Sequence, residues 1–263
     1  MSSIASVIIP TFRNELRLEW TLEALRLQTC GDFEVIVVDD GGSLTTERLV
    51  DRFVGKLRIA YEVLGGEKTD SRSGAARNLG AKRSIGDRLI FLDSDMVADP
   101  DLVESHTRNV APNTALYGFR RHFPEDQVRP FPGWIDHSRL RAASRPDTRL
   151  AGYACWDGPR LYLHFLSCNY SLSADLFCSL GGHDERYVGW GEEDIDLGFR
   201  LSQAGYRIQP LWGRGQATHL DHPSRARGDR ARPWFLNSNE PLCANGRPLS
   251  RRLRTETIEL HIR

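Results

Sequence analysis

The chain has 263 residues, with 35 basic and 35 acidic side chains and no formal net charge, which excludes a whole-molecule field drawing it to nucleic acid or to a membrane surface. Hydrophobic residues make up 40 % and charged residues 27 %, an ordinary balance for a soluble globular protein. Five cysteines without a CxxC pair argue against a disulfide framework or a structural zinc site.

No apolar run approaches the ~20 residues of a transmembrane helix, and the first apolar run is too short for a signal peptide. The cytoplasm is the expected location, with peripheral membrane attachment as the variant.

In chain order, strand and helix patterns alternate through the first hundred residues, which predicts an α/β fold with a mostly parallel sheet. Residues 6–10 (SVIIP) form an apolar, β-branched run, and residues 18–27 place Leu18, Leu22 and Leu25 at helical spacing. Residues 33–38 (FEVIVV) read as a second buried strand that ends in Asp39-Asp40-Gly41-Gly42. A helix is expected over 45–53, a strand over 57–63, a helix over 73–84 and a strand over 88–92 (RLIFL), ending in Asp93-Ser94-Asp95. In open α/β sheets the ligand crevice lies beyond the carboxyl ends of the strands, so Asp39, Asp40, Asp93 and Asp95 should meet there.

Residues 112–159 are rich in Pro, Arg and aromatics without clear period and are expected to be irregular and to serve acceptor recognition. Residues 161–173 read as strand-like, 175–180 as a short helix and 192–204 as a clear helix. The basic stretch after residue 223 is expected to form a lid or partly ordered extension. The division is then 1–110 as a first, ligand-crevice half, 111–222 as the second half of the same domain, and 223–263 as the tail.

The carboxylates suggest the chemistry. Residues i and i+2 of an extended segment point the same way, so Asp93 and Asp95 can share one site. With no phosphate loop in the chain, a divalent cation would neutralise a diphosphate leaving group, and oxygen ligands suit Mg²⁺ or Mn²⁺. A solvated acidic loop is the ordinary alternative. Asp39 and Asp40 could accept a hydrogen bond from a uracil imide, although Asp and Gly are also expected at any strand-to-turn transition. Arg77, at a helix beside the crevice, could meet phosphate or nucleotide; a plain surface arginine is the competing reading.

Gly189-Trp190-Gly191-Glu192-Glu193-Asp194 is the most distinctive stretch. Trp190 could offer an aromatic face to a sugar. The helix dipole should keep Asp194 ionised, as a general base must be. His219 and His222, spaced i,i+3, compete for the role of late metal ligand.

Together, SVIIPTFRN, QTCGDFEVIVVDDGG, GAARNLGA and FLDSDMVADPDLV resemble the family 2 glycosyltransferases, which have the GT-A (Rossmann-like) fold. The later GGHDERYVGWGEEDIDLGFRLSQAGYRI resembles a region shared by chain-extending, galactosyl- and N-acetylgalactosaminyltransferases. The resemblance implies a single domain with a central, mostly parallel sheet flanked by helices and an irregular acceptor side. It implies that Pro10, Thr11, Phe12, Arg13, Asp40 and nearby Asp39 hold the nucleoside of a UDP-sugar. Arg77, Asp93, Ser94 and Trp190 complete the donor site. By the same resemblance Asp95 would ligate the metal with His219 or His222 and contact from Asp93, and Glu193-Asp194 would form the acceptor-side pair with Asp194 as base.

The activity expected is metal-dependent transfer of a sugar to an acceptor hydroxyl with inversion, the acceptor being a glycan, lipid-linked intermediate, peptide or small molecule. The alternatives are a retaining N-acetylgalactosaminyltransferase-like enzyme and a non-catalytic nucleotide-sugar-binding protein.

Overall fold

Strands β1 (Ala5–Thr11) and β2 (Phe33–Asp39) are buried along almost their whole length, as Val- and Ile-rich runs are when helices cover both faces of a parallel sheet. The computed structural model describes residues 4–65, 72–147, 162, 165–187, 189 and 193–223. Between these strands lies helix α1 (Glu15–Arg26). Helix α2 (Leu44–Asp51) follows, and the Ser43 hydroxyl caps it by accepting from Thr45 N–H. Next come β3 (Ile59–Val63), α3 (Ser73–Arg83), β4 (Arg88–Leu92), β5 (Met96–Ala98) and α4 (Leu102–Thr107).

The stretch read as irregular from the sequence contains regular structure. It holds β6 (Thr114–Tyr117), β7 (Arg120–Phe123), a 3-10 turn (Glu125–Gln127), α5 (His137–Ala143) and β8 (Arg145–Pro146). Strand β6 escapes a periodicity reading because it has only four residues, all buried. Beyond it lie β9 (Asn169–Ser173), α6 (Ala174–Ser179), α7 (Glu193–Gln203), β10 (Arg207–Pro210) and β11 (Ala217–Leu220).

The main sheet has seven strands in the order β10-β6-β9-β4-β1-β2-β3. Only β9 runs against its neighbours β4 and β6; every other pairing in this sheet is parallel. Side-chain alternation along the strands divides the core between two faces. Val7, Ile9, Val35, Val37, Ile90 and Leu92 meet Leu18, Leu22 and Leu25 of α1. Ile8, Leu89 and Phe91 meet Tyr170, Leu176 and Phe177, and Leu197 and Leu201 of α7. Burying one such side chain contributes about 1.5–3 kcal/mol.

Helix α3 lies so near β1 that a Cβ on Gly80 would come within 2.4 Å of Ile8 Cγ2. Because β1, β2 and β4 are parallel, Thr11, Asp39 and Leu92 end on one rim of the sheet. A second, four-stranded sheet in the order β5-β11-β7-β8 begins directly after Asp95. No helix among the described residues is long and apolar enough to cross a membrane.

Candidate active site

At the end of β1, the Phe12 ring lies 2.8 Å from where a Cβ on Gly41 would stand, so the PTFR and DDGG segments touch. Arg13 has φ 47°, and its guanidinium sits 5.2 Å from the centroid of the Phe12 ring. Asp39 Oδ2 accepts from Ser43 N–H at 2.8 Å and from the Tyr61 hydroxyl at 2.8 Å. Its Oδ1 is buried without a hydrogen-bond partner among the described residues, as is Thr11 Oγ1. Asp40 differs: the Arg72 side chain donates from Nε to its Oδ1 at 2.9 Å, and Arg72 N–H donates to its Oδ2 at 3.0 Å. Of the two neighbouring carboxylates, Asp39 is therefore the one with an open oxygen.

Asp93 and Asp95 come together differently from the extended geometry the sequence suggested. Strand β4 stops at Leu92 and the chain turns, with Met96 N–H donating to Asp93 carbonyl at 3.2 Å. The turn, rather than strand alternation, gathers the carboxylates, and Asn14 Nδ2 braces it at Ser94 Oγ, 3.0 Å away. Burial raises the Asp93 carboxyl, Arg77 opposes this, and the charge of Asp95 adds to the rise.

Arg77, expected at nucleotide or phosphate, is an internal bridge. Only 2 % of it is exposed; Nη2 donates to Asp93 Oδ1 at 2.7 Å and Nη1 to Glu193 Oε1 at 2.8 Å. Buried guanidinium is costly unless carboxylates surround it, and these two do. Ser73 Oγ also donates to Glu193 Oε1, at 2.8 Å.

The next residue, Asp194, is buried at the start of α7. Its Oδ2 accepts from Ser167 N–H at 2.9 Å and its Oδ1 from Ile195 N–H at 2.8 Å. Burial, then the charge of Glu193, push its carboxyl up to about 6 against the pull of the Ser167 amide and Arg77. The helix start expected to dominate is outweighed by burial, which raises the carboxyl above its ordinary value.

The late histidines both reach Asp95. His219 Nε2 lies 3.5 Å and His222 Nε2 3.4 Å from Asp95 Oδ2. The small sheet sets this arrangement: β11 pairs antiparallel with β5, placing His219 opposite Met96, and Leu220 N–H donates to Asp95 carbonyl at 2.8 Å. Although burial opposes it, the two imidazoles, which can donate to it from Nε2 when they are charged, hold the Asp95 carboxyl well below the usual carboxylate range. Asp95 Oδ1 is buried with no partner among the described residues. One carboxylate and two imidazoles with ligand atoms within 4.8 Å of one another suit a divalent cation such as Mn²⁺.

Sequence reasoning missed the group behind His219. Asp221 Oδ1 accepts from His219 Nδ1 at 2.8 Å and from His122 Nδ1 at 2.7 Å. The HxD run His219-Leu220-Asp221 was the available signal, but His122 enters only through the β7–β11 register, which sets it opposite His219. Trp190 and the expected lid beyond residue 223 lie outside the described residues.

The chain matches the family model described as glycosyl transferase family 2 over residues 6–160. Residues 150–223 match one described as the N-terminal domain of galactosyltransferase. It is 34 % identical over 234 residues to validoxylamine A glucosyltransferase of Streptomyces hygroscopicus subsp. limoneus, covering 80 % of this chain and 51 % of that one. It is 27 % identical over 243 residues to chondroitin synthase of Escherichia coli, covering 84 % of this chain and 35 % of that one. The chain thus spans about half or less of the length of these curated relatives.

Among solved structures, residues 1–349 of S. aureus TarS in complex with UDP align with a TM-score of 0.62 at 18 % identity, over 84 % of this chain and 61 % of that one. Mannosyltransferase PcManGT from Pyrobaculum calidifontis, in complex with GDP-Man and Mn²⁺, aligns with a TM-score of 0.60 at 18 % identity, over 92 % and 62 %. The fold is that of the GT-A glycosyltransferases.

Proposed function

The chain belongs to glycosyl transferase family 2, and from that premise we propose that it transfers a hexosyl group from a UDP-sugar to an acceptor hydroxyl, with inversion and with Mn²⁺ or Mg²⁺. The observation that carries this reading is the convergence of His219 and His222 on Asp95, whose second oxygen is buried and unpartnered among the described residues. When bound there, the cation would supply Lewis-acid neutralisation of the diphosphate. Asp95, His219 and His222 would hold it, with Asp93 alongside.

The chain's own residues do the rest. Asp39 Oδ1 is placed to accept the uracil imide hydrogen, while Ser43 and Tyr61 fix its other oxygen. Phe12 offers a ring beside the glycine turn. Arg72 anchors Asp40 and keeps the base of the pocket in place. Asp194 takes the acceptor hydroxyl proton as that oxygen bonds to the anomeric carbon and the carbon–oxygen bond to UDP breaks. A carboxylate ionised at neutral pH but only about one unit below it suits a general base. Inversion follows from a single displacement. The acceptor named for the Streptomyces relative, validoxylamine A, is the first to test.

Calorimetric titration with UDP, with and without Mn²⁺, tests the site. Wild-type protein should bind UDP more tightly with Mn²⁺, and Asp95→Ala should lose that increment. An increment surviving in Asp95→Ala would overturn the assignment. NMR of the product anomer tests inversion.

A further inference from the structure

The acidic side chain behind the proposed cation site, Asp221, is held by several groups at once. Asp221 sits one residue past β11, and a single oxygen, Oδ1, receives both His219 Nδ1 at 2.8 Å and His122 Nδ1 at 2.7 Å. Its other oxygen, Oδ2, receives Arg145 Nη2 at 2.8 Å. The backbone is fixed as tightly: Asp221 N–H donates to Phe123 carbonyl at 3.0 Å, and Arg17 Nη2 donates to Asp221 carbonyl at 2.9 Å. A carboxylate held from so many sides cannot turn to follow the imidazole; the imidazole must conform to it.

That constraint selects a tautomer. With its hydrogen on Nδ1 committed to Asp221, a neutral His219 carries its lone pair on Nε2, the atom 3.5 Å from Asp95 Oδ2. Among the described residues no carboxylate stands behind His222: its Nδ1 meets the carbonyl of Pro223 at 3.0 Å, and its side chain is 43 % exposed against 15 % for His219. We propose that Asp221 is a positioning residue that orients His219 toward the divalent cation, with His122 and Arg145 holding Asp221 in turn, so that His219 is the pre-set ligand and His222 the adjustable one. This rests on the metal reading given above. A hydrogen-bonded carboxylate behind a metal-binding imidazole fixes its orientation and raises its basicity, and losing it typically weakens metal affinity about 10–100-fold.

Direct Mn²⁺ binding, followed by electron paramagnetic resonance without donor or acceptor, tests the proposal. Asp221→Asn should weaken Mn²⁺ binding by about tenfold or more. In a His219→Ala background the same substitution should change affinity no further, because the ring it orients is gone. Wild-type affinity in Asp221→Asn would overturn the proposal, as would a full second loss in the His219→Ala background, which would mark a general structural role. Unchanged Mn²⁺ affinity in His219→Ala alone would instead overturn the metal site itself. A measurement that needs no variant is ¹⁵N NMR of the metal-free wild-type protein at a pH where the ring is neutral. His219 should carry its proton on Nδ1, and a proton on Nε2 would sink the proposal even if Asp221→Asn does not fold.

Discussion

Arg77 Nη1 stands 2.8 Å from Glu193 Oε1, with both side chains at most 5 % exposed, and so ties the middle of α3 to the first residue of α7. Replacing the arginine strands Glu193 and releases Asp93. Removing one partner of a buried ion pair costs about 3–5 kcal/mol, so Arg77→Leu should lower the midpoint of urea unfolding markedly. Arg77→Lys, which cannot bridge two carboxylates with a fork, should fall between. If Arg77→Leu unfolds at the wild-type midpoint, the bridge is dispensable.

Asp194→Asn should lower kcat by about 10²–10⁴ with little change in UDP affinity. The wild-type profile carries a matching signature. A base must be deprotonated to act, and this carboxyl titrates at about 6. At saturating Mn²⁺, activity should therefore be near its plateau at pH 7 and fall with each unit below about 6. A profile still flat at pH 5 would remove Asp194 from the role.

Asp39 and Asp40 are neighbours in sequence that should respond differently. Asp39→Ala removes the carboxylate with the open oxygen. A hydrogen bond to a charged group is worth about 1.5–3 kcal/mol, so UDP affinity should fall by at least about tenfold. Asp40→Ala unpairs Arg72 and should act mainly on thermal stability. Equal losses of UDP affinity in both variants would contradict this division.

Gly80→Ala sets two effects against each other. Alanine favours a helix over glycine by about 1 kcal/mol, but its methyl would lie 2.4 Å from Ile8 Cγ2 in a strand with no exposed face. Overpacking of that kind costs about 1–3 kcal/mol, so net destabilisation is expected by calorimetry, and a raised melting temperature would show that α3 can shift away.

The sequence is most legible where burial is two-sided. Residues 88–92 read as a strand and are β4, because a strand covered on both faces carries a near-continuous apolar run, here Leu89 to Leu92. β7 is the opposite case: its RRHF run is half-buried at every position and carries no period-2 signal. The site follows the same logic. Asp93 and Asp95, and Glu193 and Asp194, stand out as candidates because each pair is adjacent or nearly so in sequence. His122 and Asp221 are 99 residues apart and meet only through strand register, which pattern reading does not supply. Arg77 illustrates a third limit, since nothing in its local sequence tells an arginine facing phosphate from one enclosed by two carboxylates.

Placing β11 between β5 and β7 also imposes an order on how the molecule comes together. Strands β1 through β4 are complete by residue 92, and β1, β2 and β3 with β4 already pair among themselves. Asp95 meets His219 and His222 from more than a hundred residues downstream, so the cation site proposed above would be complete only once β11 is in place. On that proposal Mn²⁺ binding would require the last described strand to be docked, and Mn²⁺ should protect β11 from proteolysis more than it protects β1.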